Sequence, residues 1–237
     1  MLCAHCWVGN DLDSVTGGSG PFIDGYEQEW IDLWLDLGER YEDKNVVIDA
    51  WSEYSHILND TRYQPLAQSL VDALRDAGID AQIHFNIWWN GHIFALNDPF
   101  DNYSLGRHLY GGKYDNYNPS FNATTTLDFE TVCQDSGIDA DMDHYFEGTD
   151  RMFYQEAKKL GVNFIISEMG ASNTYNVTYA SKYSMSVGNV AYAMRLLQIA
   201  EQYGVTCIMH RVGVYDDYYL YYYYAMKYFG QSLWEPS

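Results

Sequence analysis

The stretch 149–170, TDRMFYQEAKKLGVNFIISEMG, decides the fold. Its first part, 149–160, has helical spacing and stops at Gly161. It then runs straight into 162–168, a near-continuous apolar strand that closes on Glu168. A strand with no polar alternation is buried on both faces, which is the signature of a parallel sheet covered by helices. The same alternation repeats outward. Upstream, strands are expected at 1–8, 45–51 and 80–88, with a weaker one at 105–110. Helices are expected at 24–41, with an apolar stripe of Tyr26, Trp30, Leu33, Trp34 and Leu37, and at 62–77. The second has Pro65 in its first turn and Gly78 just past its end, the usual asymmetry of helix termini. Residues 111–148 read as a long irregular stretch. Downstream, helix 184–203 ends at Gly204, strand 205–211 follows, and helix 217–230 closes the pattern.

Six strand–helix units in a row give an α/β protein, either a doubly wound open sheet or a (β/α)8 barrel. No Gly-x-Gly-x-x-Gly and no phosphate loop follows any strand, which removes weight from the nucleotide-binding open sheets. No linker or change of composition divides the chain, so 1–237 reads as a single, partial barrel domain.

Charge and composition exclude several functions. Lys+Arg number 13 and Asp+Glu 33, a net charge of −20. Such a surface repels phosphate backbones, so no nucleic acid is expected as a partner. Aromatic residues make up 17% of the chain, which is incompatible with acidic disorder. The 23 tyrosines exceed what one site can use, although their broad faces and polar tips suit stacking on sugar rings. No apolar run approaches the ~18 residues of a membrane span. The sequence carries no basic and apolar leader, yet Asn59, Asn102, Asn122 and Asn176 each begin an N-x-S/T sequon. Four sequons point to an extracellular or cell-surface glycoprotein. Cys3-x-x-Cys6 is half of a zinc pattern without its second half. With Cys133 and Cys207 it reads as free thiols or one disulfide, so no metal and no cofactor is expected.

The chemistry gathers at strand ends. The strands finish at His5, at Trp51-Ser52-Glu53-Tyr54, at Trp88-Trp89-Asn90-Gly91-His92, at Arg107-His108-Leu109-Tyr110, at Ser167-Glu168-Met169-Gly170 and at His210-Arg211. One glutamate after a strand is ordinarily a solvated loop residue. Carboxylates, imidazoles and indoles at the same end of every strand are another matter, because barrels build their active sites there. Two such glutamates suit glycoside hydrolysis, one attacking the anomeric carbon and one protonating the leaving oxygen. A retaining pair stands about 5–5.5 Å apart. Trp88 and Trp89 would stack on the sugar.

Five segments carry a resemblance. KNVVIDAWSEYSH (44–56), NFIISEMGA (163–171), RHLYGG (107–112), WIDLWLDLGERYED (30–43) and MLCAHCW (1–7) together resemble glycoside hydrolase family 5, the cellulase- and mannanase-like retaining barrels. The resemblance implies that the chain carries the third to eighth strands of a (β/α)8 barrel. It implies Glu53 as acid/base and Glu168 as nucleophile, with His5, Ser52, Trp88, Trp89, His108, Tyr110 and His210 around a β-linked oligo- or polysaccharide. Ser52 stands where the family has Asn, Tyr54 where it has Pro, and His210-Arg211 where it has a Trp platform. By the same resemblance, the first two βα units and the second-strand Arg are expected to be missing. By length the chain is short for a barrel, which takes about 250 residues. About two units are therefore expected to have been lost upstream of Met1, unless a partner chain or irregular structure fills the gap.

Two alternatives belong to other classes. One is a non-catalytic structural or carbohydrate-binding glycoprotein that assembles with partner chains. There, self-association would run through the tyrosine-rich C-terminal helix in VYDDYYLYYYYAMKYF (214–229). The other is a metal-dependent hydrolase using His5, His84, His92, His108 and His210.

Overall fold

The computed structural model describes residues 2–3, 27–42, 44–51, 63–87, 92–114, 116–121, 124–170, 185–209 and 217–231. Its strands are β1 (Leu2–Cys3), β2 (Val47–Trp51), β3 (Gln82–Asn86), β4 (Tyr103–Tyr110), β5 (Asn163–Gly170) and β6 (Thr206–Met209). Its helices are α1 (Glu27–Arg40), α2 (Tyr63–Asp76), α3 (Phe129–Ser136), α4 (Ile138–Phe146), α5 (Tyr154–Leu160), α6 (Val187–Tyr203) and α7 (Asp217–Phe229).

The strands form one sheet in the order β1-β2-β3-β4-β5-β6. The β1–β2, β2–β3 and β3–β4 pairs are parallel. Doubly wound sheets reverse their strand order at a switch point. An order that never reverses is the winding of a barrel wall. β4 and β5 are buried along almost their whole length, as the apolar runs require. The chain divides into two compact units, Met1–Arg107 with Thr149–Ile165, and His108–Gly148 with Ile166–Ser237. The boundaries fall inside β4 and β5.

In the first unit, α1 carries Glu27 and Glu29 in its first turn and Arg40 in its last, matching the helix dipole. It buries Trp30, Ile31, Trp34 and Gly38. The expected stripe is therefore rotated: Leu33 is 45% exposed. Gly38 fixes the rotation, since a Cβ there would meet Ile79 Cδ1 at 2.8 Å. α2 buries Leu66, Ala67, Leu70, Val71 and Leu74, a clean i, i+3, i+4 face. The irregular segment 92–102 is strapped to α2. Gln64 Nε2 donates to Ala95 O at 3.0 Å, Gln68 bonds both Asn97 N and Asn97 O at 2.8 Å, and Arg75 pairs with Asp98. Arg107 is buried, donates to Met152 O at 2.6 Å and lies over the Phe153 ring; burial lowers its pKa to about 10. Asp49, His84 and Ser104 are buried and adjacent in register across β2, β3 and β4, with His84 Nδ1 3.0 Å from Ser104 Oγ. Gly106 leaves room for that imidazole: a Cβ would stand 2.5 Å from His84 Cε1 and from Ile165 O.

In the second unit, the stretch 111–148 is not irregular, contrary to the sequence expectation. It contains a 3-10 turn, Gly112–Tyr114, and the helices α3 and α4. Asp128 caps α3 by accepting from Thr131 N and Thr131 Oγ1. Gly137, at φ +84°, ends α3 and opens α4. α6 is capped by Ser186 and ends at Gly204, φ +66°. Arg195 on α6 pairs with Glu130 and Asp139 and lies over Phe129, tying α6 to α3 and α4. Cys133 and Cys207 are free, and burial pushes both thiols up to about 12. On α7, Tyr224, Tyr228 and Phe229 are buried, while Tyr222 and Tyr223 are exposed. These four tyrosines thus divide between core and surface. No helix among the described residues is long and apolar enough to cross a membrane.

Candidate active site

Residues 108 and 110 lie two apart on β4 and therefore share a face of the sheet. His108 and Tyr110 stand on that face with their rings edge to face, centroids 6.5 Å apart. Glu168 on β5 meets them both. Tyr110 donates its hydroxyl proton to Glu168 Oε2 at 2.5 Å, and His108 Nδ1 stands 3.3 Å from the same oxygen.

His108 and Glu168 differ in exposure in a useful way. His108 is 3% exposed, whereas Glu168 retains 15%. The imidazole is fixed by its surroundings, and the carboxylate still reaches solvent. Ser167 and Met169 on either side are buried, so the strand itself is held rigidly. A carboxylate contacted at one oxygen by a hydroxyl and an imidazole, on rigid elements and within reach of solvent, is equipped to act as an oriented nucleophile.

The other expected site residues divide as follows. Glu53, Ser52, His5, Trp88, Trp89 and His210 lie outside the described residues, as do the sequons at Asn59, Asn122 and Asn176. β2 ends at Trp51, two positions before Glu53. Asn102 begins the sequon that falls within the described residues. Its Nδ2 donates to Asp80 O at 2.6 Å, and Ser104, the third residue of that sequon, is fully buried in β4. Of the histidines weighed as metal ligands, His84 is buried beside Ser104, His92 is exposed, and His108 faces Glu168. Among the described residues, no three His, Cys, Asp or Glu side chains gather as a metal site.

The sequence profile of the family Cellulase (glycosyl hydrolase family 5) matches residues 17–216. No curated protein matches the chain. Among solved structures, an endo-β-1,4-glucanase from Xanthomonas axonopodis pv. citri is similar at TM-score 0.57 and 14% identity, covering 90% of this chain and 63% of its own. The Pseudomonas stutzeri endoglucanase in complex with cellobiose is similar at TM-score 0.55 and 17% identity, covering 91% of this chain and 60% of its own. Endo-glycoceramidase II from Rhodococcus sp. gives TM-score 0.54 and 17% identity, covering 83% of this chain and 42% of its own. The chain thus spans less than two thirds of the length of these structures. The fold is of the (β/α)8-barrel type, represented by six strands among the described residues. With 200 consecutive positions matched, from 17 to 216, the chain belongs to glycosyl hydrolase family 5, the cellulase family.

Proposed function

We propose that the chain is a secreted, glycosylated β-glycoside hydrolase that cleaves a β-linked glucan or mannan with retention of configuration. The observation that carries this reading is the Tyr110–Glu168–His108 constellation, in which a tyrosine hydroxyl and an imidazole nitrogen converge on Oε2 of one strand carboxylate. Family membership and the cellobiose-bound endoglucanase neighbour support the substrate class.

Glu168 attacks the anomeric carbon. The glycosidic C–O bond breaks, and the leaving oxygen takes a proton from Glu53. The sugar is left as an ester on Glu168. Glu53, now ionised, takes a proton from water, the water oxygen attacks the same carbon, and Glu168 is released. Tyr110 and His108 hold the carboxylate in line for attack. No metal or cofactor enters either step.

The experiment is proton NMR of an aryl β-cellobioside during its first turnovers. The expected first product is the β-anomer, which only later mutarotates. A first-formed α-anomer contradicts the double displacement. Binding of cello-oligosaccharide without any cleavage supports the non-catalytic carbohydrate-binding alternative instead.

A further inference from the structure

Immediately after Tyr110 the chain reads Gly111-Gly112-Lys113-Tyr114. Two consecutive glycines have little backbone preference of their own. The end of β4, which presents the catalytic-site hydroxyl, is therefore followed by a link that local conformation does not fix. The link is nonetheless tightly bonded. Gly111 N donates to Gly170 O at 3.1 Å, two residues beyond Glu168, and Tyr114 N returns to Gly111 O at 2.8 Å.

Tyr114 is where this turn is anchored. It is 4% exposed. Its hydroxyl donates to Asp141 Oδ2 on α4 at 2.7 Å, and the same carboxylate is held from outside by Lys113. Its carbonyl accepts from Ser186 Oγ, the cap of α6, at 2.9 Å. Its ring lies against Tyr192 of α6, centroids 5.5 Å apart. Gly188 permits this approach, because a Cβ there would stand 2.8 Å from Tyr114 O. Burial and the Asp141 carboxylate both push the Tyr114 phenol well above its ordinary range, so it remains a donor at every working pH.

We propose that Tyr114 is a positioning residue: anchored on Asp141 and Ser186, it holds the Gly111-Gly112 link and so sets the Tyr110 hydroxyl on the Glu168 carboxylate. The inference rests on the hydrolase reading above. Nothing in Tyr114 touches the reacting atoms; it acts through Tyr110. The hydroxyl–carboxylate hydrogen bond depends on where the strand end stands. Misplacement of about 1 Å costs up to ~100-fold in rate.

The test is a double-mutant cycle on an aryl β-cellobioside, using the full chain. Tyr114→Phe keeps the ring and is expected to lower kcat about tenfold with KM nearly unchanged. In a Tyr110→Phe background the same change is expected to cost less than about twofold, because the contact it serves is already gone. Asp141→Ala should match Tyr114→Phe, and Asp141→Asn, which retains an acceptor, should recover most of the loss. Thermal melts of each variant separate unfolding from mispositioning. A Tyr114→Phe enzyme with unaltered kcat overturns the inference. So does a loss that is undiminished in the Tyr110→Phe background, since that is general destabilisation. An inactive wild-type chain overturns the hydrolase reading itself, and the inference with it.

Discussion

Glu168→Gln is expected to lower hydrolysis of an aryl β-cellobioside by about 10³-fold or more while leaving the melting temperature unchanged. The amide is isosteric with the carboxylate, and its oxygen still accepts from Tyr110. The packing of β5 is therefore preserved. The reaction is not, because an amide oxygen does not form the glycosyl ester. Steady-state rates and a thermal melt on the same preparation check both halves. A variant that retains most of its rate removes Glu168 from the mechanism. One that melts much earlier shows that the carboxylate mainly holds the strands.

Asp98→Ala is expected to destabilise the chain by about 3–5 kcal/mol, the penalty for leaving a buried ion without its partner. Asp98 and Arg75 are 0% and 3% exposed at the side chain, and both carboxylate oxygens are bonded by the guanidinium at 2.8 Å. Arg75 also donates to Ile79 O, Ala81 O and Asn102 O, and Asp98 accepts from Phe100 N and Asn102 N. Removing the carboxylate strands the arginine and loosens 97–102 at once. Burial alone would push the Asp98 carboxyl up. The bonds from Arg75 and the two amides outweigh it, so the carboxyl sits below its usual 3.8. A depressed value stabilises the fold above the unfolded-state pKa, near 3.9. That contribution is lost as pH falls through the lower folded value. Urea titrations should show the wild type losing this increment in acid, with the Asp98→Ala deficit narrowing there. A deficit below about 1 kcal/mol at neutral pH would place the pair among contacts of little consequence.

What was legible in the sequence follows from which forces act locally. β5 was readable because an apolar run between Gly161 and Glu168 has one stable environment, a covered parallel sheet. Glu168 was singled out only because polar residues stood at the same end of every expected strand; its contacts with His108 and Tyr110, 60 and 58 positions away, come from the fold. The helices α3 and α4 were not readable. Gly137 divides them into segments of eight and nine residues, each shorter than the roughly 11 residues over which helical periodicity is read. The Asp128–Thr131 cap was their one local signal. Leu33 was misplaced because α1 is rotated by Gly38 packing on Ile79, a contact between residues 41 positions apart. Tyr114 and Asp141 were missed for the same kind of reason: 27 positions separate them, and only the fold brings hydroxyl and carboxylate together.

The claim on which the rest depends is that Glu168 forms the glycosyl bond. A 2-deoxy-2-fluoro-β-cellobioside with a good leaving group slows the second displacement more than the first, so the ester accumulates. Peptide mapping of the inactivated protein by mass spectrometry then reads the labelled residue. The expected result is one fluorocellobiosyl group on the peptide containing Glu168. A label on any other side chain, or steady turnover of cellobiosides with no label at all, would contradict it.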